Sequence, residues 1–554
     1  MVLMAANALT QDAFARYARG DLTGTVAACQ NILKLEGPSL VVLELQGIAL
    51  AQQGHVGAAQ AVLAQALGLA PANLSLLNNL AKLNFDAGNW RECLTYLRQI
   101  QRLTPLDEQL HARLSLTQDH LLHGAQTCLE QHRGQTTGPT DVNALLQSGN
   151  DFYGARRFED ALECYALAAN LAPDHALAHA NLGAAAQNLG ETSLALAHYD
   201  QALALDSRHL PTWLNKGIAL ARINDNGQAL ACYEKALALA PEHADVHWNL
   251  SLTLLKTGNY EAGWQHYERR WQRSAYASLR PVSSQPLWLG QAALQGRSIL
   301  LHAEQGLGDT LQFSRYIQQV QALGARVILQ IQPALTELFS PLPGIEQVIP
   351  QGQPLPAHDY QCPLMSLPLA FQTRLDNIPS PLSSLQIDPQ RVDAWQARLG
   401  PRRKPRVGLV WRGTAQHPDD HERSLDLGLL WRFLSPACDY ISLQKDIPAA
   451  DLPVLQRWPG ILDTRTDLHS LADTAALIHC LDVVVSVDTS VAHLSATLGK
   501  PTWILLAHCP DWRWLLDRSD SPWYPSARLY RQASPGDWHA PLLAVRAGLQ
   551  ALQG

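Results

Sequence analysis

A chain of 554 residues is too long for one hydrophobic core, and its length points to about three or four domains. A hydrophobic content of 47% and a net charge of −7 are ordinary for a soluble protein and leave no polybasic footprint, so nucleic acid is not an expected partner. The opening MVLMAANALTQDAFARYARGD has no basic stretch ahead of an unbroken apolar run, and no run of about 18 apolar residues occurs anywhere; the expectation is a soluble, cytoplasmic protein with no membrane span.

The first half is periodic. Tyr165, Tyr199, Tyr233 and Tyr267 are each 34 residues apart, and the same step returns Ala161, Ala195 and Ala229, then Gly149, Gly183 and Gly217. Pro173 and Pro241 keep it too, with Ser207 in the slot between; upstream so do Gly20, Gly54 and Gly88, and Pro71 with Pro105. These residues resemble the tetratricopeptide repeat. Small residues let the two helices of each hairpin approach, the Tyr fills their groove, and the Pro ends the second helix. About seven to eight repeats are expected over residues 6–272, with a degenerate one at 106–141. The last copy, YEAGWQHYERRW at 260–271, replaces small residues by large aromatics and reads as a cap that docks on the downstream part of the chain. The resemblance implies a right-handed α-solenoid whose concave face binds peptides or protein segments; a scaffold that only holds a dimer or a domain in place is the alternative.

From Arg297 the pattern changes to a strand (RSILLHAE), a helix (GLGDTLQFSRYIQQVQALG, with Leu311, Ile317 and Val320 on one face) and a strand (ARVILQIQ). A Pro-rich passage with short strand-like pieces comes next. The basic, Pro-punctuated ARLGPRRKPR at 397–406 sets a boundary near residue 400. Beyond it a second α/β unit runs RVGLVW, YISLQ, IL-DTRTD, the helix SLADTAALIHC, DVVVSV, the helix SVAHLSATLG and PTWILLA. Two such units make a cleft, and ligands of open parallel sheets sit at the carboxyl ends of the strands.

Three turns at such ends carry candidate chemistry. In EQGLGDT, Gly306 and Gly308 permit a tight turn with bare backbone, and Asp309 falls at a helix N-terminus, where it is either an N-cap or a catalytic carboxylate. The turn lacks the third Gly of a dinucleotide fingerprint, and no phosphate-loop motif occurs in the chain. In VWRGTAQHPDDHERSLDL, Gly413 and Thr414 follow a strand, and Arg423 with Ser424 opens a helix, a pairing suited to a phosphate; His417 to Glu422 read as a solvated loop. In VVVSVDTSVAHLSATLGKP, Asp488 ends a strand, Thr489 and Ser490 cap a helix and His493 lies one turn in; the helix N-terminus favours an anion and Asp488 a hydroxyl, although a capped core helix with a satisfied His fits as well. Gln444 and Lys445 at another strand end face either a nucleotide or solvent. Trp512, Trp514, Trp523 and Tyr524 pack between domains, or else stack a base or line an acceptor channel. The nine cysteines (Cys29, Cys93, Cys128, Cys164, Cys232, Cys362, Cys438, Cys480, Cys509) form no C-x-x-C pair and read as buried thiols in a reducing compartment.

In order, the three turns resemble the signatures of GT-B glycosyltransferases related to the bacterial heptosyltransferases and, with the repeats, more distantly the O-linked GlcNAc transferases. The resemblance covers roughly residues 285–540. It implies a solenoid at 1–275, an acceptor-side Rossmann-like domain at 276–400 and a nucleotide-sugar-binding Rossmann-like domain at 401–554. It makes Asp309 the catalytic base and assigns Arg423, Asp488, Thr489, Ser490 and His493 to the donor and its diphosphate; beside it, Glu304 is the reserve base, and Gly308, Gly413, Thr414, Ser424, Gln444 and Lys445 complete the expected donor- and phosphate-binding set. Ser490 departs from the family's Gly. The implied reaction is inverting sugar transfer from a nucleotide-sugar substrate, with no metal and no cofactor, to a protein hydroxyl recruited by the repeats; homo-oligomerisation is compatible with this. The alternatives are an interaction scaffold with a degenerate transferase domain, or transfer to lipopolysaccharide or another glycan.

Overall fold

The computed structural model describes residues 2–70, 73–103, 109–110, 112–113, 116–117, 142–279, 283–382, 385–414, 420–449, 451–458 and 460–552. Pro71, Pro105, Cys128, His417 and most of the expected degenerate repeat at 106–141 lie outside the described residues. The chain forms two compact units, Met1–Leu205 and Asp206–Gly554.

The first unit is built of helix pairs from Val2–Ala18 to Thr192–Leu205. The 34-residue period has a direct cause: a Cβ placed on Gly149 or Gly183 would stand 2.5 or 2.7 Å from the ring of Tyr165 or Tyr199, sixteen positions on. Each Gly thus gives up about 1 kcal/mol of helix propensity relative to Ala so that an aromatic ring can lie flat on its backbone.

The second unit opens with two more pairs, Leu210–Arg222 with Asn226–Leu239 and Ala244–Lys256 with Tyr260–Tyr267. Gly217 and Tyr233 repeat the same close approach. The aromatic last copy then docks as its composition predicts. Tyr260, Trp264 and Tyr267 are buried in one core with Phe313, Trp512 and Trp523. Trp264 donates to the Thr373 carbonyl at 3.1 Å, and Trp523 donates to the Tyr260 hydroxyl at 2.9 Å.

Two all-parallel sheets complete the unit. The first has β1 Ser298–His302, β2 Arg326–Ile331, β3 Ile345–Pro350 and β4 Tyr360–Pro363, in the order β3-β2-β1-β4. The second has β5 Arg406–Val410, β6 Asp439–Ser442, β7 Ile461–Asp463, β8 Val483–Val487, β9 Thr502–Leu506 and β10 Ala527–Arg531, in the order β10-β9-β8-β5-β6-β7. SILLH, RVGLV, VVVSV and TWILL are buried at every position, as central strands covered on both faces must be. The strand order reverses at β1/β4 and at β5/β8, and a doubly wound sheet leaves a crevice at such points. These are the fold classes expected: a tetratricopeptide solenoid and then parallel α/β structure.

Local details depart from expectation. The helix after β1 is broken: Leu307–Phe313 and Ile317–Ala322 are separated by a 3-10 turn at Ser314–Tyr316, whose Arg315 folds back to donate to the Gln312 carbonyl at 2.7 Å. β10 and the closing helix His539–Ala551 add elements for which the sequence supplied no expectation.

Candidate functional site

The Gly-Asp turn leaves β1 at the reversal point of its sheet. Gly306 is the N-cap of helix Leu307–Phe313, and Asp309, three residues in, accepts the Gly306 N–H at 2.7 Å. The capping geometry is therefore real, but it uses one carboxylate oxygen. The other is held by the guanidinium of Arg513, which donates also to Asp511 at 2.8 Å and to Gln312 Oε1 at 2.7 Å. Burial pushes the Asp309 carboxyl above the ordinary carboxylate range; Arg513 pulls it back and Asp511 pushes it up again.

Across from this turn, β8 ends at Val487, Asp488 follows it and helix Ser490–Thr497 begins. Thr489 is the N-cap by position, yet its side chain does not cap; its hydroxyl pairs with Ser486 Oγ at 3.1 Å. Ser490 is the first helical residue rather than a cap. The first N–H groups of the helix are thus capped by no side chain among the described residues, which keeps the positive end of the dipole available to an anion. His493 bonds Tyr524 through Nδ1 at 2.8 Å, stacks on Trp514 at 5.3 Å and stands 3.7 Å from Asp488. Burial, with the charges of Arg513, Arg315 and Arg423, holds His493 well below its ordinary pKa, so the ring is neutral. Burial, then Asp511, pushes Asp488 up to about 6.

Gly308 joins the two turns. A Cβ there would lie 2.7 Å from the His493 ring, so only Gly permits the approach. This contact brings Asp309 of the first sheet beside the Asp488–His493 segment of the second.

The β5 loop supplies the third part. Arg423 donates to the Asp488 carbonyl at 3.0 Å and to Asp420 at 3.1 Å, so the loops after β5 and β8, the two strands flanking the reversal, are tied together. Gly413 makes room for this, since a Cβ would collide with Asp420 and stand 2.5 Å from Arg423. The Gly413 N–H donates to Ser424 Oγ at 3.1 Å, and that hydroxyl donates to Asp420 at 2.9 Å. One expectation is corrected here: Arg423 closes the single turn Asp420–Arg423 and Ser424 lies in the loop beyond it, so the pair does not open a helix. Asp420, placed to bond both residues, sets that geometry. Thr414 is next to Gly413 in the same loop.

Other candidates fall elsewhere. Gln444 is buried, and its side-chain oxygen accepts the backbone N–H groups of Trp411 and Arg412 at 3.3 and 3.1 Å, bracing the ends of β5 and β6. Lys445 is exposed. Glu304 has a fully buried side chain with both oxygens held by Arg270, at 2.7 and 2.8 Å, and Arg270 donates also to Ser366 at 2.7 Å. Its carboxylate anchors the segment after the last repeat rather than facing the turn. Trp512, Trp514, Trp523 and Tyr524 are core residues, as the packing reading had it.

Arg513 is the site residue that the sequence motifs do not single out. The available signal is an Arg between two tryptophans directly after an Asp, in DWRW.

Comparison with known proteins finds tetratricopeptide repeats at residues 50–115, 146–209 and 214–276, and glycosyltransferase family 9 (heptosyltransferase) at residues 454–516, a stretch that contains Asp488–His493 and Arg513. Protein FlbA of Caulobacter vibrioides is 27% identical over 327 residues, covering 54% of this chain and 53% of that protein; the chain spans about half the length of this curated relative. Among solved structures, MamA is 18% identical and covers 31% of this chain and 98% of its own, with a TM-score of 0.24. The Arabidopsis OM64 tetratricopeptide domain is 22% identical and covers 20% and 89%, with a TM-score of 0.19.

Proposed function

With a chain that joins tetratricopeptide repeats to a glycosyltransferase family 9 domain as the premise, we propose an inverting transfer of a sugar from a nucleotide-sugar donor to a protein hydroxyl delivered by the repeats. The observation that carries the reading is the meeting of the Gly308–Asp309 turn with His493, which sets a carboxylate beside an uncapped helix N-terminus at a strand-order reversal.

In this mechanism the Asp309 carboxylate takes the proton of the acceptor hydroxyl, whose oxygen forms a bond to the anomeric carbon as the bond from that carbon to the diphosphate breaks. The electron pair leaves with the nucleoside diphosphate. Arg423 and the N–H groups opening helix Ser490–Thr497 meet the charge that grows there. Thr414, Thr489 and Ser490 supply further donors, and Asp488, half neutralised near pH 6, suits a sugar or ribose hydroxyl. The same proposal keeps domains at 1–275, 276–400 and 401–554 and a cytoplasmic setting, in keeping with eight cysteines that form no disulfide among the described residues.

Thermal unfolding of the purified chain with a panel of nucleotide sugars tests this. At least one donor is expected to raise the wild-type melting temperature, and Arg423→Ala to remove most of that rise. A panel that leaves the wild-type curve unmoved contradicts the proposal.

A further inference from the structure

The mechanism leaves Arg513 unused, although it is the cation in direct contact with the proposed base. It sits, buried, in the 3-10 turn Trp512–Trp514 after β9, with its guanidinium 4.4 Å from the centre of the Trp512 ring. Its three bonds run to Asp309 and Gln312 on one helix beside the first sheet and to Asp511 on its own segment. A planar fork that grips two side chains three residues apart on a helix fixes both the position and the roll of that helix. The second Asp309 oxygen is pinned by the Gly306 N–H, so the carboxylate has no free rotation left.

Resting on the reading of Asp309 as base, we infer that Arg513 is its positioning residue: a group carried by the donor-side sheet holds the base of the acceptor-side sheet in register, so the base is set only when the two sheets' turns are together.

The groups acting on Asp309 are Arg513 and Asp511 from the 511–514 segment and Tyr276 from the 3-10 segment Ser274–Leu279; from the β8 turn, His493 lies against the neighbouring Gly308, with Asp488 3.7 Å beyond it. His493 is neutral, so loss of the guanidinium leaves Asp309 opposed by Asp511 and raises the pH at which it deprotonates. Loss of Asp511 acts in the opposite sense.

The test uses the full chain and turnover of the nucleotide-sugar panel against pH. Arg513→Gln is expected to lower kcat by about 100-fold, the scale of a misplaced catalytic group, with a smaller change in KM, and to move the acid limb to higher pH. Asp511→Asn is expected to move that limb to lower pH, and Arg513→Lys to restore the limb but not kcat. A general weakening of the fold does not shift the limb in two directions. A second measurement needs no donor. In Asp309→Cys, site-resolved alkylation by iodoacetamide is expected to begin at lower pH with Arg513 present than with Arg513→Gln. Identical alkylation profiles, or Arg513→Gln with wild-type kcat and limb, overturn the inference. Absence of turnover in the wild type overturns the transferase reading instead, and the thiol titration still decides whether Arg513 holds position 309.

Discussion

Arg270 and Glu304 have no side-chain exposure, and the Glu304 carboxylate is tolerable there because both its oxygens are held by Arg270, which also pairs with Glu268 at 2.9 Å. Arg270→Ala leaves a buried carboxylate uncompensated and is expected to cost about 3–5 kcal/mol, read as a lower denaturant midpoint. Gly308→Ala inserts a Cβ against the His493 ring and is expected to cost about 1–3 kcal/mol and to weaken donor binding, read by melting with and without the donor. At this scale the sequence was legible where chemistry is local: Gly308, Asp309, Asp488 and His493 stand in short motifs whose residues act within one turn. It was silent where partners are distant. Arg513 lies 204 residues from Asp309, and no spacing rule joins them. Glu304 looked like a spare base because the arginine that claims it belongs to the repeat tail.

The repeat helices show the same division. The Gly–Tyr contacts recur every 34 residues, so both members could be read together from the sequence. Gly217→Ala gains about 1 kcal/mol of helix propensity but presses a Cβ into the Tyr233 ring, and net destabilisation is expected in calorimetry. Less legible are two stacked histidine pairs, His179–His198 and His247–His266, with Nδ1 atoms 3.1 and 2.7 Å apart. In each, the Nε2 of the first ring meets a proline carbonyl, so it carries the proton and its Nδ1 accepts from the second ring. Burial holds His198 and His266 below their ordinary pKa, so the neutral form is the folded one; stability is present above about pH 6.5 and declines as pH falls below it. A melting temperature that is flat through this range contradicts the pairing, and His266→Asn is expected to reduce the slope.

For the whole molecule, the alternation of strand and helix disclosed two parallel sheets, and the ordinary charge gave no sign of nucleic acid. The docking of the last repeat could be read from its composition, but not the partners it meets in the α/β core. Tyr267 keeps the repeat spacing, yet with Tyr260 and Trp264 it is buried in the α/β core, where Arg270 also bonds Glu304. A chain starting at Asp206 is therefore expected to fold and retain donor binding, while one starting after Gln272 loses three core aromatics, each worth about 3–5 kcal/mol, and is expected to be insoluble. The central claim, a base on one sheet serving a donor held by the other, is tested most directly by Asp309→Asn. Donor-induced stabilisation should match the wild type while sugar transfer or donor hydrolysis falls by about 100-fold or more; turnover at the wild-type rate, or binding lost together with turnover, would contradict it.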